Sequence, residues 1–233
     1  METYTLGLAL EDFLPVILSS AGMYFISRMV SNTQPGLGAM ATLGWILVTI
    51  GGLLKAIWKL VMALTQTQVN LVWFDKGMFI WMSAGFTLLA FALWMMAETR
   101  SGKQPRHIWA GPAMVLGLSL LAILFTGFPD PSVNTWRFIL LGVMTIGNVA
   151  VVFLLIQQAR ASGKNGLAIL LLIHISLIFV LSGLARIPHQ TIPLQWTEQL
   201  LNTFSQGAFA YATWKLTSAL ASLPLPARGA VHV

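Results

Sequence analysis

Residues 195–220, QWTEQLLNTFSQGAFAYATWKLTSAL, decide how this chain is read. Wound as a helix at about 3.6 residues per turn, the segment brings Glu198, Asn202, Ser205, Gln206, Thr213 and Thr217 onto one arc, interrupted only by Phe209. The other faces are largely apolar, and the stretch is long enough to cross a bilayer. A polar group turned to acyl chains is expensive, about 2.5–3.5 kcal/mol for a central Asp. The arc is therefore expected to face neighbouring helices or a watery cavity.

Working outward, six further apolar stretches separated by turn-rich breaks predict helices at 12–30, 37–64, 73–97, 107–126, 134–158 and 165–186, with the seventh at 195–220. Asp12, with Pro15 following in the first turn, reads as the start of the first helix. Breaks such as Ser31 to Gly36, Arg100 to Arg106, Gly127 to Pro131 and Ala161 to Gly166 carry the expected Gly, Pro, Ser and Asn. Composition agrees: 57% of the 233 residues are hydrophobic and 9% charged, against roughly 25% charged in a soluble domain. Mean hydropathy is +0.78. The expected fold is an all-α integral membrane protein with one seven-helix domain over residues 1–222 and a disordered cytoplasmic tail at 223–233. Glu2, Glu11 and Asp12, with no basic residue among them, argue against a cleaved signal peptide.

Charge sets the orientation. Arg28, Arg100, Lys103, Arg106, Arg160, Lys164, Lys215 and Arg228 fall on the side of the C-terminus, opposed only by Glu98. The opposite side carries Lys55, Lys59, Lys76, Arg137 and Arg186 against Glu2, Glu11, Asp12, Asp75, Asp130 and Glu198. The excess of Lys and Arg predicts the N-terminus outside and the C-terminus inside, in a multi-pass protein of a prokaryotic cytoplasmic membrane. The same spread over short loops makes the high pI of 10.1 a topology signal and argues against nucleic-acid binding. Short echoes link the first three helices to the last three: Phe13–Gly22 with Phe138–Gly147, Gly52–Lys55 with Gly183–Arg186, and Ser83–Gly85 with Ser205–Gly207. They suggest a 3+1+3 plan of parallel triple-helix repeats joined by the fourth helix, which is almost devoid of polar residues.

Costly residues concentrate toward the outer half. Lys55, Ser83, Asn148, His174, Arg186, Glu198, Asn202 and Gln206 form the candidate ligand-binding set, a cup with a charged rim and an amide floor. An ion pair is expected in which Glu198 offsets Lys55 or Arg186, the two cations that hold matching places in the repeats. Each residue also has a plainer reading. Lys55 and Lys59 can snorkel, and Asp75, Lys76 and Arg137 can anchor at the interface. Asn148, Asn202 and Gln206 can bond between helices, and Gly51, Gly52, Ser83, Gly85 and Gly207 can serve close packing.

Enzyme and cofactor templates do badly. There is no cysteine, and the four histidines are dispersed, so neither a metal centre nor a bis-histidine haem is expected. No hydrolase, nucleotide or dinucleotide motif occurs. Lys215 in the last helix invites comparison with retinal proteins, but it lies toward the cytoplasmic end and the third helix lacks a central carboxylate. Two functions are expected: an outward-facing pocket that binds or transports a small polar or anionic solute, or a non-catalytic membrane subunit or sensor working through protein or lipid contacts. The lipid bilayer and that solute are the expected partners.

Overall fold

The computed structural model describes residues 5–103, 105–128, 130, 132–188 and 191–222, so the tail expected to be disordered lies outside the described residues. Helices are the only regular elements among the described residues: α1 (Leu6–Glu11), α2 (Phe13–Thr33), α3 (Pro35–Leu64), α4 (Val72–Arg100), α5 (Ala110–Phe125), α6 (Thr135–Ala161), α7 (Asn165–Leu184) and α8 (Ile192–Ala221). Taking α1 and α2 as one continuous run, five helices are long and apolar enough to cross a bilayer: 6–33, α3, α4, α6 and α7. The 16 residues of α5 are apolar but short, about 24 Å. The 30 residues of α8 have the length, and fall outside this set because Gln195, Glu198, Gln199, Asn202 and Gln206 dilute their hydropathy.

The first helix corrects the sequence reading. It begins at Leu6, where the Thr5 side chain accepts from the Leu8 N–H at 3.4 Å. Asp12 sits at the junction of α1 and α2 in right-handed geometry and makes no capping bond with its side chain. Pro15 explains the interruption: its ring clashes with the carbonyl four residues back, that of Glu11. At the far end, α8 starts three residues before Gln195, capped by Thr191 with Pro193 in its first turn. The C-terminus of α6 closes in a Schellman arrangement. Gly163, at φ +69°, lets Lys164 N–H reach the Ala159 carbonyl at 2.8 Å and its own N–H reach Arg160 at 2.9 Å.

Six helices form a closed ring: α2 packs on α3, α3 on α4, α4 on α6, α6 on α7, α7 on α8, and α8 back on α2. Outside it, α5 touches only α4 and α6 among the described residues. Its Met114, Leu118, Leu121 and Phe125 are exposed. Helices α2, α4, α6 and α8 begin at one end of the ring, called here the Asp12 end, and α3 and α7 finish there. The α3–α4 seam is the tightest. A Cβ on Gly85 would lie 2.7 Å from the Gly44 carbonyl oxygen, and one on Gly44 would lie 2.8 Å from that of Gly85. Small residues let the two backbones touch, as is usual where helices associate in lipid. Gly51 has the same role against Met82, whereas a Cβ on Gly207 would meet only Leu18 Cδ1 at 3.9 Å, an ordinary contact that does not require glycine. Polar bonds fix the α2–α3 seam: Ser27 Oγ with Thr42 Oγ1 at 2.7 Å, and Trp45 Nε1 and Thr49 Oγ1 both donating to Ser20 Oγ.

Candidate functional site

The ring encloses a cavity of about 380 Å³ toward the Asp12 end, lined from α2, α3, α4, α6, α7 and α8. Its floor lies at Met23, Val48, Phe86, His174 and Phe209, all buried. Below it Ile26, Met40, Leu89, Leu155 and Leu216 are wholly buried and fill the bundle. A smaller cavity, about 270 Å³, lies between α2, α4 and α8 at the opposite end, beside Asn32, Arg100 and Thr217.

The polar arc of α8 faces inward. Ser205 and Thr213 are fully buried, and Asn202 and Gln206 line the cavity. Tyr211, Trp214, Leu200 and Phe204 take the exposed face instead. Asn148 of α6 joins these two amides on the cavity wall. Gln206 Nε2 donates to Asn202 Oδ1 at 3.5 Å, a long bond that leaves most of the hydrogen-bonding capacity of both amides to the cavity.

His174 is buried and bound by its own neighbours. Its Nδ1 lies 3.1 Å from the Ser205 carbonyl oxygen and 2.9 Å from Ser205 Oγ, which itself donates to the His174 carbonyl at 3.2 Å. A carbonyl can only accept, so Nδ1 carries a proton and donates it to Ser205. The ring stacks on Phe209 with centroids 4.8 Å apart. Phe209 in turn fills the space opposite Gly22, where a Cβ would meet its ring at 2.5 Å. One contact chain thus ties α7, α8 and α2 beneath the cavity.

At the mouth the charges pair across helices. Lys59 of α3 holds the Asp12 carboxylate, 2.8 and 2.7 Å from its two oxygens. Gln199 of α8 donates to the same carboxylate. Lys55, one turn deeper on α3, pairs with Asp75 of α4 and lies 4.0 Å from the centroid of the Trp58 ring. Thr203 of α8 donates to Glu11, whose second oxygen is buried without a hydrogen-bond partner. The helix junction at Asp12 therefore gathers α3 and α8 around two adjacent carboxylates.

Of the eight sequence-selected residues, Lys55, Asn148, His174, Asn202 and Gln206 line the cavity. Three do not. Ser83 is buried inside α4 and donates to the Ile80 carbonyl at 3.2 Å. Arg186 is exposed beyond the end of α7, which stops at Leu184. Glu198 is half-buried outside the lining. The expected pairing of Lys55 with Glu198 is replaced by its pairing with Asp75. Sequence reasoning missed Asp12, Lys59 and Gln199 as site residues. For Gln199 the available signal was its helical angle, which at about 100° per residue coincides with that of Thr217 on the same arc. Among the described residues no cluster of His, Asp and Glu is arranged to hold a metal. No family model, curated protein or solved structure matches the chain.

Proposed function

We propose that the chain is a seven-crossing protein of the cytoplasmic membrane whose cavity binds, and moves, a small polar solute reached from the Asp12 end. The observation that carries this reading is the set of three cavity-lining amides, Asn148, Asn202 and Gln206, on two facing helices. Amides placed at that depth without a ligand or water would be costly. The cavity is at the small end of the range of small-molecule sites, roughly 300–1,000 Å³. Both lysines at the mouth already hold carboxylates, which favours a solute without net negative charge over an anion.

Seven crossings are supported by the packing of α8. At 30 residues it is about 45 Å long, and it runs between α2 and α7, both apolar enough to span. A polar helix completing a ring of apolar ones hides its polar face from lipid without losing its place in the bilayer. The ring order favours the 3+1+3 plan: the junction of α4 with α6 corresponds to that of α8 with α2 if the triplets α2–α4 and α6–α8 are repeats. With the Asp12 end outside, the cations of the α4–α5 and α6–α7 breaks lie in the cytoplasm.

Mass spectrometry of small molecules that copurify with the full chain tests the reading. The wild type should retain a compound that the Asn202→Leu, Gln206→Leu double variant loses. Equal profiles from two folded proteins would overturn it.

A further inference from the structure

We infer that the ligand is an amphiphile drawn from the bilayer, entering sideways between α6 and α7, with its polar head on the amides of the cavity wall and its apolar chain between the two helices. The inference rests on the cavity being a binding site, as proposed above, and departs from that reading in the ligand's class and route: an amphiphile taken from the bilayer in place of a polar solute taken from the Asp12 end.

Helices α6 and α7 are joined by the short turn Ser162 to Lys164 at the Arg100 end of the bundle. Burial on α7 is confined to the half nearest that turn: Ala168, Leu171 and His174 are buried, and no residue from there to Leu184 is. The last ten residues, about 15 Å of helix, are therefore only half-buried or exposed. At that place the cavity is walled by exposed residues. Leu141, Thr145 and Val149, at successive turns of α6, line it together with Ile178, Phe179 and Ser182 of α7. Leu141, Val149 and Phe179 are 36%, 37% and 55% exposed, whereas Val48, Phe86 and Phe209 on the remaining walls are 3%, 6% and 2% exposed. Lining residues that are also perimeter residues mark a side opening.

The surroundings of that opening are hydrocarbon-facing. Phe138, Ile146 and Phe153 of α6 and Leu172 and Val180 of α7 are all exposed. The two hydroxyls at its edges are satisfied within their own helices, Thr145 Oγ1 donating to Leu141 and Ser182 Oγ to Ile178, each at 2.8 Å. The edge thus offers lipid no unpaired donor. The ionic residues that line the cavity, Asp12, Lys55 and Lys59, come from the α1–α2 junction and α3, not from the two helices that border the gap. A water-borne solute gains nothing from an opening into acyl chains. A pure hydrocarbon would strand the amides. A molecule with one polar end and one apolar end matches both halves.

The chain has no cysteine, so Gln206→Cys places a single thiol on the cavity wall. In liposomes, N-dodecylmaleimide should alkylate it roughly tenfold faster than a membrane-impermeant sulfonated maleimide, since the alkyl chain concentrates the probe in the bilayer. Thr145→Trp, which fills the α6 edge, should slow the dodecyl probe several-fold and leave the sulfonated one unchanged. Phe179→Ala, which trims the α7 edge, should accelerate the dodecyl probe, so a folding defect in the Trp variant does not decide the matter. Faster labelling by the sulfonated probe, or dodecyl rates indifferent to both edge variants, would overturn lateral access and leave the binding cavity standing. A thiol that neither probe reaches would remove both.

Discussion

Replacing Asp12 by Asn keeps the side chain's shape and removes its charge, which separates two physical roles for this residue. As a helix cap, Asp and Asn are nearly equivalent, and the substitution would cost close to nothing. In the structure the carboxylate instead holds Lys59 at 2.8 and 2.7 Å and accepts from Gln199, with the Lys59 and Asp12 side chains only 19% and 12% exposed. Stranding one member of a fully buried pair costs about 3–5 kcal/mol. Lys59 lies near the end of α3 and can extend its ammonium partway to water, so about 2–3 kcal/mol is the reasoned loss, below the fully buried figure. At about 2–4 °C per kcal/mol for a chain of this size, the midpoint should fall by roughly 4–12 °C. Thermal unfolding in detergent, followed by intrinsic tryptophan fluorescence, reads it. Adding Lys59→Met should restore the midpoint to within about 1 kcal/mol of wild type, because a pair removed whole leaves no uncompensated charge. An unchanged Asp12→Asn midpoint, or single effects that simply add, would refute the pairing as the role of Asp12.

Gly85→Val should be among the most damaging substitutions in the chain. Even its first carbon would lie 2.6 Å from Val48 Cγ2 and 2.7 Å from the Gly44 carbonyl oxygen, so α3 and α4 must part, at a cost of about 1–3 kcal/mol or more; the same thermal assay should show it, and Gly117→Val, with open space around it, should not. A single thiol at Lys164→Cys, in the turn between α6 and α7, should react with impermeant maleimide only after the cytoplasmic face is opened, and labelling from the outside of intact cells would invert the proposed topology.

Depth was more legible than direction. Hydropathy and turn residues placed Lys55, Asn148, Asn202 and Gln206 at compatible levels, because level along a helix follows from residue count alone. Which neighbour each side chain meets depends on how the helices are arranged around the ring, and a single chain's periodicity does not encode that. Lys55 consequently met Asp75 of the adjacent helix, not Glu198. Arg186 was assigned by its likeness to Lys55, a likeness that ignored where α7 ends. Asp12 was misread because two local signals coincide there. An acidic residue before Pro15 looks like a helix start, and only the third dimension reveals Thr5 as the cap and the break as a meeting point for α3 and α8.

The closure of the ring by its final member has a consequence for biogenesis. Gln199 with Asp12, Thr203 with Glu11, Thr217 with the Phe25 carbonyl, and Phe209 in the hollow over Gly22 all join α8 to the opening segment of the chain. During synthesis the acidic groups wait, incompletely satisfied, while the five helices α3 to α7 emerge. Helix α8 is thus the keystone of the ring: until it is made, Glu11 lacks its Thr203 partner and Asp12 is held by Lys59 alone.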